Sequence, residues 1–413
     1  MWSALSAFLF GKARVRRPDC RTLARIICSQ LLSGTFLALV PMLGAQATPP
    51  YVPSPVIRGA TWDFAHLIRL AYTAGKGGSD LWPTTWAADG EVYTAWGDGG
   101  GFEGAGDATG RVSLGFARLT GWPPQVTGAN VWGHFPKYAP HPATFCGKPI
   151  SMLSVNGTLY AWISSWYNES GSNYVHCAPN PNPVEHRLAW SSDLGATWTL
   201  SPWKVDRPPL NWITFLNFGK DNGGARDRYV YQYWRMRGKD GFTYLVRVLP
   251  THLKESPETA GIYEYYAGPG PRWTAELSDA RPVFVDRTLR AITHVIYDSP
   301  LQRYLASVQG RGVGASAVFD APEPWGPWTT VASYQNWGGF GSRESLGVDF
   351  PTKWISPQGT SLWAVFSGGR LAKNDDVLDS FNLVRLTLVL RKPAAGQGTG
   401  SASNQVRSSL PRR

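Results

Sequence analysis

One arrangement of residues recurs along this chain, and that recurrence constrains the fold more than any other feature. "WPTTWAADGEVYTAWGDG" (82–99) aligns with "FPTKWISPQGTSLWAVFSGG" (350–369): an aromatic, Pro-Thr-x-Trp, a glycine turn, then an apolar strand ending in small residues. "KPISMLSVNGTLYAWIS" (148–164) repeats it, with Lys148 in the aromatic's place and Met152 in the tryptophan's. Looser copies are "TFLNFGKDNGGARDRYVYQYW" (214–234) and "AITHVIYDSPLQRYLASV" (291–308). The turns fall near 90, 157, 225, 300 and 359, about 60 to 75 residues apart, a period that marks repeated supersecondary units. More strand-like sequence follows each hairpin, such as "RLAWSSDLGATWTL" (187–200) and "SAVFDAPEPWGPWTTV" (316–331). Two inner strands plus one or two outer ones make a four-stranded blade. Five of them predict an all-β chain folded as a five-bladed β-propeller, a single domain over 60–392. A β-sandwich is the rival, but sandwiches do not repeat one hairpin five times.

Composition agrees. Among 413 residues there are 45 Gly, 32 Pro and 20 Trp, which suits short strands joined by turns. "SSDLGATW" (191–198) fits the Asp-box pattern, in which the Asp braces a turn and the Trp wedges beneath it, a structural role on a blade's rim.

The ends read differently. Lys12, Arg14, Arg16, Arg17, Arg21 and Arg25 precede the apolar "LLSGTFLALVPMLG", and "AQA" (45–47) supplies a small-x-small cleavage site. Residues 1–47 are expected to be a signal peptide cut near Ala47, with 48–59 a linker and 393–413 a disordered tail. The mature chain, with no membrane span, would be secreted or periplasmic. Loss of the leader removes six basic residues and Asp19, taking the net charge from +11 to +6. The high charge is therefore no argument for nucleic acid, and the body lacks a basic stripe. Cys146 and Cys177 remain as an even pair in an exported chain, which predicts a disulfide.

A propeller gathers one end of every blade at a shared mouth. Asp89-Gly90 reads as a type I′ turn, and Asp80 and Asp98 lie nine positions before and after Asp89. Both carboxylates therefore return to the hairpin's open end. Lys148 opens the second copy, and Asp349 precedes the fifth. We expect Asp80, Asp98 and Asp349 to be catalytic, because glycosidic cleavage needs one protonated and one ionised carboxyl, held apart by a third charge. Trp82, Trp96, Lys148, Asp221 and His294 are expected to bind substrate, the indoles by stacking on sugar. Glu103 and Glu344, on glycine-rich loops, are further candidates. No Gly-x-Ser-x-Gly elbow, His-Glu-x-x-His or phosphate loop is present. No cofactor is expected; a calcium ion at Asp98, Glu103 and Asp107 would not match an EF-hand spacing.

"SDLWPTTWAADGEVYTAWGDG" (79–99), "GKPISMLSVNGTLYAW" (147–162), "NFGKDNGGARDRYVYQY" (217–233) and "FPTKWISPQGTSLWAVFSG" (350–368) resemble an exported bacterial propeller family, formerly a domain of unknown function, that includes endo-D-arabinanases. The resemblance spans about 60–390. It implies a five-bladed fold and a glycoside hydrolase cleaving an arabinan-like polysaccharide. More distantly the chain is similar to five-bladed arabinanases and β-xylosidases, whose first-blade base Asp80 matches in position. The expected partner is a polysaccharide and the expected state a monomer. A non-catalytic carbohydrate-binding propeller is the alternative.

Overall fold

The chain was analysed as a computed structural model that describes residues 51–71, 79–102, 112–133, 141–165, 167–169, 177–180, 185–206, 210–236, 241–286, 289–310, 316–339, 346–368 and 379–392. The leader 1–47, the tail 393–413, Glu103, Asp107, Trp166 and Glu344 lie outside the described residues. The described residues hold strands and short 3-10 turns with no α-helix, so the protein is all-β.

Each hairpin of the repeat grows into an antiparallel meander. The first comprises Asp80–Trp86, Val92–Gly99, Val112–Trp122 and Gln125–Trp132. The second comprises Lys148–Val155, Thr158–Ser164, His186–Ser191 and Thr199–Leu200. The third begins with Leu210–Asn217 and Val230–Met236, and the fourth with Leu289–Asp298 and Arg303–Gly310. These two are fused into one sheet by a short parallel pairing, Leu216 with Val295 and Asn217 with Ile296. The last meander is built from both ends of the chain. Leu346–Asp349, Ser361–Ser367 and Phe381–Leu390 are completed by Ile57–Trp62, which pairs antiparallel with the last strand. The stretch expected as a linker is thus packed from Tyr51 onward: the Tyr51 ring sits 5.1 Å from Phe284, and Ser54 Oγ donates to Asp320 Oδ2 at 3.0 Å.

The core lies between successive meanders. Phe116, Trp132 and Leu114 of the first pack on Met152, Ile163 and Trp198 of the second. Second meets third through Trp162, Phe215 and Trp234, and third meets fourth through Tyr233, Phe319 and Trp328. Fourth meets fifth around Trp337 and Phe350, and the fifth returns to the first through Phe381, Trp82 and Trp96. Inner strands are consequently buried on both faces, and Lys148–Val155 is buried at every residue. That is why the repeats read as apolar runs and not as clean alternation.

The Asp-box behaves as its sequence suggests. Asp193 accepts from the Thr197 N–H (2.9 Å) and hydroxyl (2.6 Å), Gly195 has φ +87°, and Trp198 stacks on Phe116 at 3.7 Å. The Asp89-Gly90 turn is not type I′. Gly90 alone has positive φ, and its N–H donates to Ala87 C=O at 3.0 Å. The loop is therefore an ordinary turn with a left-handed glycine after it. Type I′ geometry occurs one meander later, where Asn156 and Gly157 both have positive φ.

Adjacent inner strands are stitched by side chains. The Ser154 N–H donates to Thr85 Oγ1 (2.8 Å), Ser151 Oγ to Ile213 C=O (2.9 Å) and Thr214 Oγ1 to Ile292 C=O (3.1 Å). Thr293 Oγ1 donates to Val348 C=O (3.3 Å), and the Thr84 N–H donates to Asp349 Oδ2 (3.0 Å). The circuit so described returns to its starting strand, at about 1 kcal/mol per bond. A cavity of about 10 Å³ is lined by residues of all five inner strands, among them Leu81, Ile150, Trp212, Thr293 and Asp349. The centre is filled by side chains and is not an open pore.

Candidate active site

Asp80 is the first residue of its strand and stands opposite Gly97, with Asp98 next along the returning strand. The hairpin therefore delivers both carboxylates to one end. Lys148 opens the inner strand of the following meander and reaches between them. Its Nζ lies 2.8 Å from Asp80 Oδ1 and is ion-paired with Asp98 Oδ2. The acids are 16% and 21% exposed and the lysine 8%, so the anions meet water while the cation is covered. Burial alone would push the Lys148 ammonium down; Asp80 and Asp98 outweigh it and hold its pKa above the ordinary lysine value.

The backbone here is strained. Leu81 (φ 78°), Trp82 (φ 57°) and Asp98 (φ 52°) occupy the left-handed region, and the register slips between Leu81 and Thr84. Non-glycine residues held so cost on the order of 1–3 kcal/mol each and cluster where a site needs a particular aim. A bulge of this kind re-aims the residue beside it, here Asp80. Gly97 is the floor under the ion pairs. A Cβ there would lie 2.7 Å from Asp80 Oδ1 and 2.7 Å from Lys148 Nζ.

The other expected residues separate from this group. Trp82 and Trp96 are 0% exposed, with their indole N–H groups bound to Ser79 C=O and Gly99 C=O at 3.1 Å each. They form core with Phe102 and Phe381 and offer no face to a sugar, contrary to expectation. Asp349 is 2% exposed and lies deeper along the axis. It accepts the Thr84 hydroxyl at 2.6 Å, the Thr84 N–H at 3.0 Å and His294 Nδ1 at 3.0 Å. Such an acid braces a strand, and His294 braces the acid. Asp221 is at the opposite end of the inner strands, where it accepts from Ser154 Oγ (2.7 Å) and Gly157 N–H (3.0 Å). It holds the Asn156-Gly157 turn and is remote from Asp80. Cys146 and Cys177 form the disulfide, with Cα atoms 5.9 Å apart, just before Lys148.

Sequence reasoning missed Gly97 and Thr84. Each had a faint signal: Thr84 is the threonine of the repeated Pro-Thr-x-Trp, and Gly97 is one of the small residues ending the strand. Among the described residues no group of three or more His, Cys, Asp or Glu could hold a metal ion. No helix among them is long and apolar enough to cross a membrane.

No protein-family model matches the chain, and no curated protein matches it. Solved structures do. A protein from Bacteroides ovatus ATCC 8483 aligns at 13% identity over 75% of this chain and 86% of its own, with a TM-score of 0.45. The α-L-arabinofuranosidase of Podospora anserina, in complex with cellotriose, aligns at 10% identity over 83% and 99%, with a TM-score of 0.42. A GH43_1 enzyme from Xanthomonas citri, in complex with xylotriose, aligns at 10% over 78% and 90%, with a TM-score of 0.43.

Proposed function

We propose that the protein is an exported, monomeric glycoside hydrolase built as a five-bladed β-propeller, cleaving an arabinan-like polysaccharide with Asp80 and Asp98. The observation that carries the chemistry is the single buried ammonium of Lys148 shared by two partly wet carboxylates. Two oxygens within hydrogen-bond reach of one nitrogen stand no more than about 6 Å apart. That spacing suits a pair flanking one glycosidic bond. Glycosidic cleavage asks the two members for different roles. One member would donate a proton to the leaving oxygen, and the other would act on the anomeric carbon or on water, with Lys148 holding both in place. Asp349 is reassigned from chemistry to positioning, since it fixes Thr84 just beyond the bulge that aims Asp80. The choice of arabinan rests on the family resemblance of the quoted segments.

The test is a screen of the chain from Thr48 onward against arabinans, xylans, galactans and mycobacterial cell-wall polysaccharide. Asp80→Asn and Asp98→Asn should fold normally and each lower turnover on the cleaved substrate at least ~10²-fold. Release of sugar at the unaltered rate would sink the assignment.

One observation favours a second reading, a non-catalytic carbohydrate-binding propeller. Asp349 is engaged by Thr84 and His294, which leaves the Lys148-paired Asp80 and Asp98 as the expected acids at the mouth. Binding of a polysaccharide without cleavage, weakened by Asp80→Asn, would select it.

A further inference from the structure

At the far end of the same strands lies a second pocket of about 220 Å³, lined by Trp86, Phe218, Tyr297, Ser299, Thr352 and Ile355 among others. Trp86 ends the strand that Asp80 begins, so the pocket is roughly 20 Å from the carboxylate pair at ~3.3 Å per residue. Its size is below the ~300 Å³ at which drug-sized ligands are usually accommodated, and fits a single ring. Three of its walls are aromatic: the Phe218 and Tyr297 rings are 5.7 Å apart, and Trp86 is half-buried with its N–H satisfied by Gly90 C=O at 3.1 Å. The indole's polar atom is thereby used, leaving its apolar face as what it presents. The floor carries an unmet polar group. Thr352 is 8% exposed, and its buried hydroxyl has no hydrogen-bond partner. Ser299 adds an exposed hydroxyl at the rim.

Three of the charged side chains nearby are engaged elsewhere. Lys353 Nζ binds Glu91 at 2.8 Å, and Asp221 is held by Ser154 and Gly157. The loop bordering Phe218 is strained, with positive φ at Gly219, Asp221 and Asn222, as is common where a loop is shaped for contact. Lys220 and Asp298 stand near the pocket but not in its lining, which offers aromatic faces and hydroxyls and so matches a neutral ring with an apolar C–H face and a polar edge.

We propose that this pocket is a second carbohydrate site, taking one neutral sugar ring between Trp86 and the Phe218–Tyr297 pair, with a ring hydroxyl on Thr352. It does not depend on hydrolysis at the other mouth. It would hold a distant part of the same polymer, or a neighbouring strand, while the carboxylates face another segment.

The experiment uses the full mature chain carrying Asp80→Asn and Asp98→Asn, so that turnover does not consume the probe. Methyl α-arabinofuranoside, methyl β-xyloside and methyl β-glucoside are titrated by saturation-transfer NMR. We expect at least one to bind, Trp86→Ala to weaken it tenfold or more, and Thr352→Val to weaken it several-fold. Thr352→Val keeps shape and removes only the hydroxyl, so its melting temperature should equal the parent's. In the otherwise unaltered chain it should leave hydrolysis of short substrates at the other mouth unchanged. No transfer from any of the three sugars, or binding indifferent to both substitutions, overturns the proposal.

Discussion

Asp349 and Thr84 are 265 positions apart in the chain and are joined twice, by the threonine's N–H and by its hydroxyl. The contact ties the last meander to the first at the centre of the molecule. Asp349→Ala should therefore leave a buried amide, a hydroxyl and His294 without their acceptor. We expect a loss of about 2–4 kcal/mol in denaturant unfolding, while Thr84→Val loses about 1 kcal/mol. An Asp349→Ala chain as stable as the parent would show that the contact does not hold the ring.

Lys148→Met removes the cation between Asp80 and Asp98. The carboxylates then repel each other, and one takes up a proton at a higher pH than before. The acid limb of the kcat/KM profile should move to higher pH, with the fold intact by circular dichroism. An unmoved limb would reduce Lys148 to a packing role.

Gly97→Ala places a methyl against the ion-paired atoms, 2.7 Å from both partners. Turnover should fall ~10-fold or more through displaced carboxylates, with a change in melting temperature of only a few degrees. Gly157 is the control, since a Cβ there meets nothing within 4 Å and only its positive φ resists substitution.

A shared contact with Lys148 Nζ keeps one oxygen of Asp80 and one of Asp98 close together. If the proposed hydrolysis uses this pair, retention of anomeric configuration is the expected outcome, because retaining pairs stand about 5–5.5 Å apart and inverting pairs wider. Proton NMR of the first products, before mutarotation, reads the outcome directly.

Asp298 titrates in an unusual place. Burial raises its carboxyl from 3.8 to about 7, only partly offset by the Leu301 N–H it accepts. The native state therefore keeps a proton that the unfolded chain releases. Stability from this group is complete below pH 4, falls as pH rises through 7 and is flat beyond. Asp298→Asn should flatten that slope and raise stability at pH 8, read by urea titrations at several pH values.

The hairpins were legible because each inner pair is buried on both faces, so an apolar run, a glycine turn and a second run survive in every copy. Asp80 and Asp98 were legible for a simpler reason, their equal distance from the Asp89 turn. The indoles were misplaced because left-handed backbone at Leu81 and Trp82 breaks the alternation that would have put Trp82 at the mouth. Asp349 was misjudged in depth. Thr352–Trp354 winds into a 3-10 turn, so the inner strand is 346–349 and ends at this acid. The strand Ile57–Trp62 was hidden because its partner lies more than 300 residues away, beyond any local pattern.

That last pairing has a consequence for how the protein is made. A chain whose opening strand clasps its closing one cannot seal itself while either end is still missing. The polypeptide must leave Ile57–Trp62 without its strand partner until Phe381–Leu390 has been made. Once the clasp shuts, fraying at one terminus has to unzip the other as well, so each end guards its opposite against proteolysis.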